Sequence, residues 1–227
     1  MPKGGGCSTI ITLMTIYSFY QQLYDWYGPQ QWWPCRSGQP WEIICGSILT
    51  QNCAWSNVEK ALDNLRQEQV CSPQAVLAAA PDRLEAAIRP AGFFRQKRAY
   101  LQSAAEFFLT HAEEYRCSTD LAGLRLRLLA LKGIGPETAD SILLYAFQRA
   151  VFVIDAYTRR VARRHLGLPD GLSYDRLQAI FQAALPQDVQ LYNEYHALIV
   201  RFCKDSCRKS GCGERCPQPA AAIIPGL

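Results

Sequence analysis

Four cysteines near the C-terminal end form the densest group of metal-ligating side chains in the sequence. They are Cys203, Cys207, Cys212 and Cys216. Three, four and three residues separate neighbouring members, and glycines between them allow the chain to wrap tightly. Thiolates in such a loop are ligands for a [4Fe–4S] cluster or for zinc. The spacing therefore predicts a metal loop, and an iron–sulfur cluster, zinc and metal-free thiols are the three alternatives.

A glycine-containing turn, Leu131–Pro136, lies between two segments with helical periodicity. Gly133 and Gly135 allow a tight turn with positive φ angles, and the proline that follows suits the first turn of a helix. Ile134 is predicted to plug between the two helices. Backbone N–H groups at such a turn can seat a phosphate, and Lys132 lies beside them. The alternative is a helix–helix turn that binds nothing.

The elements that must position these groups are predicted to be helices. Leucines recur at three- and four-residue spacing, and Pro- and Gly-containing turns separate one helical segment from the next. The one candidate strand, Ala150–Ile154, is short. Of 227 residues, 49% are hydrophobic and 19% charged, with a net charge of +4, which is typical of a globular protein and compatible with nucleic acid. The expected fold class is all-α.

The apolar segment Ile10–Phe19 is too short to cross a bilayer, and no cleavage signal comes after it. We therefore expect a cytoplasmic protein with no membrane segment. Six further cysteines are scattered along the chain and are interpreted as small buried apolar side chains.

The glycine turn and a second segment downstream of it carry a resemblance to a known family. Leu131–Ala139 together with Val153–Val161 resembles the helix-hairpin-helix and Gly/Pro-Asp signature of the endonuclease III superfamily of DNA glycosylases. Asp155 stands about twenty residues beyond the hairpin, as that pattern requires. Ile48–Asn52 resembles a second motif of the family, whose glutamine enters the gap left by a flipped base. Pieces of the resemblance span most of the chain.

The resemblance implies a two-lobed helix-hairpin-helix DNA glycosylase fold with a C-terminal iron–sulfur loop. Residues 37–149 would form a six-helix, barrel-like domain that contains the hairpin. Residues 1–36 and 150–227 would form a second helical domain with the cysteine loop.

The cysteine spacing departs from the family's usual pattern, which has wider outer gaps and a narrower middle one. Cys207, Cys212 and Cys216 would replace the first three ligands, and Cys203 would supply the fourth from the preceding helix. The resemblance favours a [4Fe–4S] cluster, with zinc as the alternative, in a structural role.

Strand-cutting members of the family carry a lysine two residues after the second hairpin glycine, where it forms a Schiff base with the sugar. Glu137 occupies that position here, so lyase activity is predicted to be absent. The resemblance assigns the remaining chemistry to Asp155, whose carboxylate would stabilise an oxocarbenium-like sugar or orient water. A helix cap is the alternative role for Asp155, and both roles are compatible.

Aromatic residues cluster near the second motif. Trp32, Trp33, Pro34 and Trp55 are candidates for a pocket that stacks on a flipped base. Tryptophan faces attract cations, which suits a purine alkylated at N3 or N7. The combination with Glu137 resembles the 3-methyladenine glycosylase branch. Ordinary core packing of these side chains is the alternative.

The family's contacts with duplex DNA map onto three segments. Phe93 is the candidate wedge for the opposite strand, and Arg95 and Lys97 come next as candidate phosphate ligands. The hairpin residues Lys132, Gly133, Ile134 and Gly135 and the motif residues Gln51 and Asn52 complete the predicted DNA-binding set.

These features predict a monomeric, monofunctional DNA glycosylase of base excision repair that flips and releases alkylated purines from double-stranded DNA. A uracil or thymine mismatch glycosylase of the same fold is one alternative. A helix-hairpin-helix DNA-binding protein without catalysis is another.

Overall fold

The computed structural model describes residues 6–213 and residue 216, with the backbone alone for residues 6–15. This part of the chain is mostly helical, and the all-α prediction is confirmed. The α-helices are α1 Gly6–Tyr27, α2 Pro40–Leu49, α3 Trp55–Gln67, α4 Pro73–Ala78, α5 Pro81–Ile88, α6 Phe94–Cys117, α7 Leu121–Leu129, α8 Pro136–Ser141, α9 Ala156–His165, α10 Tyr174–Ala184 and α11 Val189–Asp205. A 3₁₀ turn, Arg89–Ala91, comes after α5, and a π-helical segment, Ile142–Ala146, extends α8.

The β structure of the described chain is one short antiparallel ribbon, β1 Cys207–Arg208 and β2 Gly211–Cys212. None of the described helices is both long and apolar enough to cross a membrane.

Local sequence sets where most helices begin. Proline occupies the first turn of α2, α4, α5 and α8, where its missing N–H costs nothing and its fixed φ favours the helix. Side-chain oxygens accept a backbone N–H at the start of five helices. These N-caps are Ser72, Asp120, Asp155, Ser173 and Asp188.

The chain divides into two compact units. The first, here called the hairpin unit, is Trp33–Arg149, and the second, the cysteine unit, comprises residues 1–32 and 150–227. In the hairpin unit, α2 is buried along most of its length, with Ile48 and Leu49 fully inaccessible, and it packs against the π-helical segment. The long helix α6 packs on α4 and α5.

A buried ion pair joins the two helices of the hairpin. Arg125 of α7 donates to both carboxylate oxygens of Asp140 in α8, at 2.7 and 3.1 Å, and Asp140 is fully buried. Loss of either partner would leave the other charge desolvated, so the pair fixes the geometry of the turn between them.

In the cysteine unit, α1 and α9 each pack on α11, and α1 also packs on α10. The candidate strand Ala150–Ile154 is not a strand, because no second strand lies beside it to share its hydrogen bonds in the described structure. Its backbone N–H and carbonyl groups form hydrogen bonds with side chains of α10 instead. Gln182 accepts from the Phe152 N–H at 2.9 Å, and Gln178 donates to the Phe152 carbonyl at 2.7 Å. This buried extended segment leads directly into Asp155.

The scattered cysteines differ from the prediction that all of them are buried. Cys45 is buried, but Cys71 and Cys117 are exposed. Cys7 lies outside the residues whose side chains are described.

Candidate functional site

The hairpin turn is built around Gly133. Its φ of 84° lies in the left-handed region, and a Cβ at this position would come within 2.4 Å of the Tyr100 ring, so only glycine fits. Ile134 is buried, as expected for a residue that plugs between helices. Gly135 differs from the prediction of a positive φ, since its φ of −90° is open to other residues. Lys132 is exposed beside the turn.

Gln51 holds the hairpin from the end of α2. Its side-chain amide donates to the Gly133 carbonyl at 2.9 Å and to the Thr138 hydroxyl at 3.0 Å. The next residue, Asn52, is exposed and has a left-handed φ of 51°. The amide of Gln51 is therefore engaged within the hairpin unit, and Asn52 is the exposed member of the motif.

Lys97 differs from the expectation of a phosphate contact. It is buried, and its ammonium group donates to the carbonyls of Leu49, Gln51 and Ala91, each at 2.8 Å. Burial lowers the pKa of Lys97. A cation bound to three carbonyls is not available to a phosphate, so the structure gives Lys97 a positioning role. It joins the end of α2 to the turn before α6.

That turn presents an apolar side chain. Phe93 is 67% exposed and has a left-handed φ of 46°, which is rare for an aromatic residue. Arg95, in the first turn of α6, is 84% exposed and lies 3.9 Å from Glu85. An exposed phenylalanine held in a strained backbone conformation is a candidate functional position, because folding alone does not favour either feature.

An aromatic cluster forms around Trp33 in the hairpin unit. The Trp33 ring lies 4.9 Å from Trp55, edge to face, and 5.1 Å from Tyr145. A Cβ on Gly46 would come within 2.8 Å of Trp33, so this glycine lets the indole approach α2 closely. Tyr145 lies in the π-helical segment, a feature often found at functional sites.

The structure brings two residues of the predicted pocket together within the hairpin unit. Trp33 and Trp55 are in contact. Pro34 is exposed, and Trp32 is the last residue of the first stretch of the cysteine unit.

Asp155 is the N-cap of α9. Its Oδ1 accepts the Thr158 N–H at 2.7 Å and the Thr158 hydroxyl at 2.9 Å, while Oδ2 lies 3.5 Å from His196 Nε2 on α11. Burial acts to raise the pKa of Asp155, but the interaction with His196 and these hydrogen bonds outweigh it, so the pKa is below its ordinary value. The carboxylate is therefore ionised and fixed in direction.

Glu137 lies in the first turn of α8 and is exposed. An acid there is favoured by the helix dipole. The position that decides lyase chemistry in the resembled family is therefore on the surface of the hairpin unit.

The cysteine loop gathers around a histidine that no sequence motif indicated. His165 Nε2 lies 3.4 Å from Cys207 Sγ, 3.7 Å from Cys212 Sγ and 3.7 Å from Cys216 Sγ. Cys207 and Cys212 face each other across the β1–β2 ribbon, with their sulfurs 3.8 Å apart. Burial raises the pKa of Cys216 to about 12 and lowers the pKa of His165.

Cys203 is placed differently. It is buried on α11, its Sγ contacts the Tyr157 carbonyl at 3.8 Å, and burial raises its pKa to about 12. Among the described residues, ligand atoms that all lie within 4.8 Å of one another belong to His165, Cys207 and Cys212. Neither Cys203 nor Cys216 is a member of that set.

Two arginines of α9 hold the loop in place. Arg160 donates to the Cys207 carbonyl at 2.9 Å, and Arg164 donates to the carbonyls of Arg208 and Lys209 at 2.7 and 3.1 Å. Arg164 also lies 3.6 Å from Cys207 Sγ.

Comparison with known proteins agrees with this geometry. The profile of the HhH-GPD superfamily of base excision DNA repair proteins matches residues 45–187. The chain is 42% identical over 206 residues to a putative DNA repair glycosylase of Methanocaldococcus jannaschii, covering 89% of this chain and 93% of the relative.

The chain belongs to the HhH-GPD superfamily.

Two further relatives show the range of this superfamily. Endonuclease III of Sulfolobus acidocaldarius is 30% identical over 157 residues, which are 69% of each chain. The structure of the 3-methyladenine DNA glycosylase MagIII of H. pylori, bound to 1,N6-ethenoadenine, matches with a TM-score of 0.70 and 27% identity. That match covers 86% of this chain and 97% of the other.

Sequence patterns did not indicate three residues at the sites of this HhH-GPD protein. His165, His196 and Tyr145 reach their partners only through packing between helices distant in sequence. The sequence contains three histidines, and two of them, His165 and His196, lie beside a predicted cysteine ligand and beside Asp155 in the structure. Testing each histidine as a partner of those predicted residues would have found both.

Proposed function

We propose that this protein is a monofunctional DNA glycosylase that hydrolyses the N-glycosidic bond of alkylated purines, of the 3-methyladenine type, in duplex DNA. The observation that carries the proposal is Glu137, in the first turn of α8, where strand-cutting relatives have a lysine. A carboxylate cannot form an imine with the sugar C1′, so the base would be released without strand cleavage.

Asp155 supports the hydrolytic step. The departing base takes the bonding electron pair, and positive charge develops on the sugar C1′ and its ring oxygen. An ionised carboxylate of fixed direction stabilises that charge, and it can orient the water that adds to C1′. Thr158 and His196 would keep the Asp155 carboxylate ionised and oriented.

The aromatic cluster supports the choice of base. Trp33 and Trp55 form a half-buried aromatic pair in the hairpin unit, in contact with the buried Tyr145. A purine alkylated at N3 or N7 is a cation that tryptophan faces attract. A cationic base is also a good leaving group, so stacking and one carboxylate suffice for its release. The similarity to MagIII, which binds 1,N6-ethenoadenine, agrees with a modified adenine as substrate.

The exposed residues of the hairpin unit support binding to double-stranded DNA. Phe93 would wedge into the stack beside the extruded base, and Arg95 would contact a phosphate. The hairpin turn with Lys132 would seat a second phosphate. Gln51 would act by holding this turn in shape, and Asn52 would approach the DNA.

The cofactor that the family implies is a [4Fe–4S] cluster, held by Cys203, Cys207, Cys212 and Cys216. The four thiols are the donor type of such a cluster, but the sulfur separations among the described residues differ from those that it requires. Four iron atoms between the thiolates hold the ligating sulfurs well apart. Here Cys207 and Cys212 are 3.8 Å apart, and His165 occupies the centre of the three loop thiols. We therefore assign no step of the reaction to an iron–sulfur cluster.

A substrate panel tests the proposal. Duplexes that carry 3-methyladenine, 7-methylguanine, 1,N6-ethenoadenine, uracil opposite guanine or thymine opposite guanine are incubated with the protein and analysed with and without alkali. We expect release of the alkylated purines, with strand breaks only after alkali. Release confined to uracil or thymine would favour the mismatch alternative, and breaks without alkali would contradict the monofunctional assignment.

A further inference from the structure

The cysteine loop surrounds a histidine that the cysteine spacing does not indicate. His165 is 3% exposed, and its Nε2 lies within 3.7 Å of three thiol sulfurs. Its ring is fixed by packing, stacked on Phe19 at 5.6 Å and edge-on to Phe202 at 5.0 Å. A buried imidazole aimed into three thiols is the donor set of a metal site and not of an apolar core.

The distances within the group identify the kind of site. With metal–sulfur bonds of about 2.3 Å and a metal–nitrogen bond of about 2.0 Å, a tetrahedral ion places nitrogen about 3.5 Å and sulfur about 3.8 Å from a neighbouring sulfur. The observed Nε2–Sγ distances are 3.4, 3.7 and 3.7 Å, and Cys207 Sγ lies 3.8 Å from Cys212 Sγ. The separations among His165, Cys207 and Cys212 are those of three ligands of one ion. Cys216 Sγ lies 3.7 Å from His165 Nε2 but outside that set, so it would move closer to the two sulfurs to complete a tetrahedron.

We propose that His165, Cys207, Cys212 and Cys216 form a tetrahedral site for a single zinc ion, in place of the iron–sulfur cluster of related proteins. Cys203 is a buried neighbour of this site and not a ligand. Zinc suits three thiolates and one imidazole, and a closed set of four protein ligands is the arrangement of a structural site.

The surroundings complete the site electrostatically. Three thiolates around a divalent ion leave one net negative charge, and the Arg164 guanidinium, 3.6 Å from Cys207 Sγ, lies where it neutralises that charge. The same arginine and Arg160 bind carbonyls of the loop, so the metal and α9 fix the same segment. The ion would tie α9, which begins at Asp155, to the loop after α11.

Two substitutions separate the proposed ligand set from the cluster predicted by the sequence. His165→Ala should lower the bound zinc from about one equivalent per chain to a small fraction of it, while Cys203→Ser should leave it unchanged. The protein is produced in iron-rich medium under anaerobic conditions, and zinc, iron and sulfide are measured by elemental and chemical analysis. A sulfide-containing protein with about four irons, broad absorbance near the visible blue and loss of iron in Cys203→Ser would overturn the proposal.

Cobalt substitution distinguishes the two sets without relying on activity. The wild-type protein and Cys203→Ser should give the same intense visible bands of a tetrahedral Co²⁺ ion bound by three thiolates and one nitrogen. His165→Cys should shift these bands to longer wavelength, because a fourth thiolate is a weaker-field ligand, and this variant should still fold and bind one ion. Identical spectra for wild type and His165→Cys would contradict ligation by His165.

Discussion

The starts of two helices, α8 in the hairpin unit and α9 in the cysteine unit, each carry an acidic residue in a different setting. Asp155 caps α9, with both oxygens in contact with Thr158 or His196. Glu137 lies in the first turn of α8 and is exposed to solvent. The same class of side chain at the same kind of helix end is therefore largely enclosed in one case and exposed in the other.

The two settings differ in how well each carboxylate could stabilise positive charge on the sugar. A carboxylate stabilises a developing positive charge best when its direction is set before the reaction and water is excluded from it. Asp155 meets the first condition, since Thr158 and His196 lie against its oxygens, and its side chain is only 13% exposed. Glu137 is exposed to solvent, and its interest lies in the lysine that it replaces.

The largest effect should come from Asp155→Asn. Loss of the negative charge should reduce release of an alkylated purine by about 10²- to 10³-fold, while binding to a duplex with an abasic analogue should persist. Single-turnover release and a binding titration measure the two quantities. Glu137→Gln is the matched control and should stay within about twofold of wild type. If Asp155→Asn retains base release, the catalytic assignment is wrong.

Glu137→Lys should introduce the lyase chemistry that the wild-type protein is proposed to lack. An amine at this position should form a Schiff base with the sugar, so borohydride should trap a covalent protein–DNA complex that is absent with wild type. Denaturing gel electrophoresis of the trapped complex is the measurement. Because a cation near a helix N-terminus costs some stability, the thermal midpoint is recorded alongside. Trapping with the wild-type protein would refute its monofunctional assignment.

His196→Gln should have a moderate effect with a characteristic pH dependence. Without the interaction with His196, the pKa of Asp155 should rise toward its ordinary value, and the acid limb of the activity profile should move to higher pH. Base release at neutral pH should fall much less than for Asp155→Asn, because Asp155 stays ionised there and loses only the contact with His196. An unchanged acid limb would show that His196 does not act through Asp155.

The same pair predicts how stability depends on pH. Because the folded-state pKa of Asp155 is depressed, its contribution to stability is present above the unfolded pKa and is lost as the pH falls through the folded pKa. Denaturant unfolding from neutral to acidic pH should therefore show a smaller acid-induced loss of stability in His196→Gln than in wild type.

Thr158→Val should give the smallest effect. It removes the hydroxyl that donates to Asp155 at 2.9 Å but keeps the backbone N–H bond at 2.7 Å. Stability should fall by about 1 kcal/mol, the usual value of one hydrogen bond. Thr158→Ser keeps the hydroxyl and is the control. A loss of activity as large as that of Asp155→Asn would show that the hydroxyl does more than orient the carboxylate.

Much of the hairpin unit could be predicted from sequence because its signals are local. The glycine turn, the proline at the start of α8 and the buried Ile134 depend on neighbours within a few residues. Lys97 and Arg95 show the limit of such reasoning. In the sequence both are basic residues close to Phe93, and both are predicted to contact phosphates. In the structure Lys97 is buried against three carbonyls, whereas Arg95 is 84% exposed.

The sequence by itself determined the helical class, the hairpin, Asp155 as a helix-opening acid and the identity of residue 137, since each depends on residue type or short-range spacing. Only the tertiary structure decided which groups meet: His196 with Asp155, Tyr145 with Trp33, and His165 with the loop cysteines. The physical reason is that helix packing brings together side chains far apart in the chain. His165 and Cys207 are 42 residues apart, and no local periodicity encodes that contact.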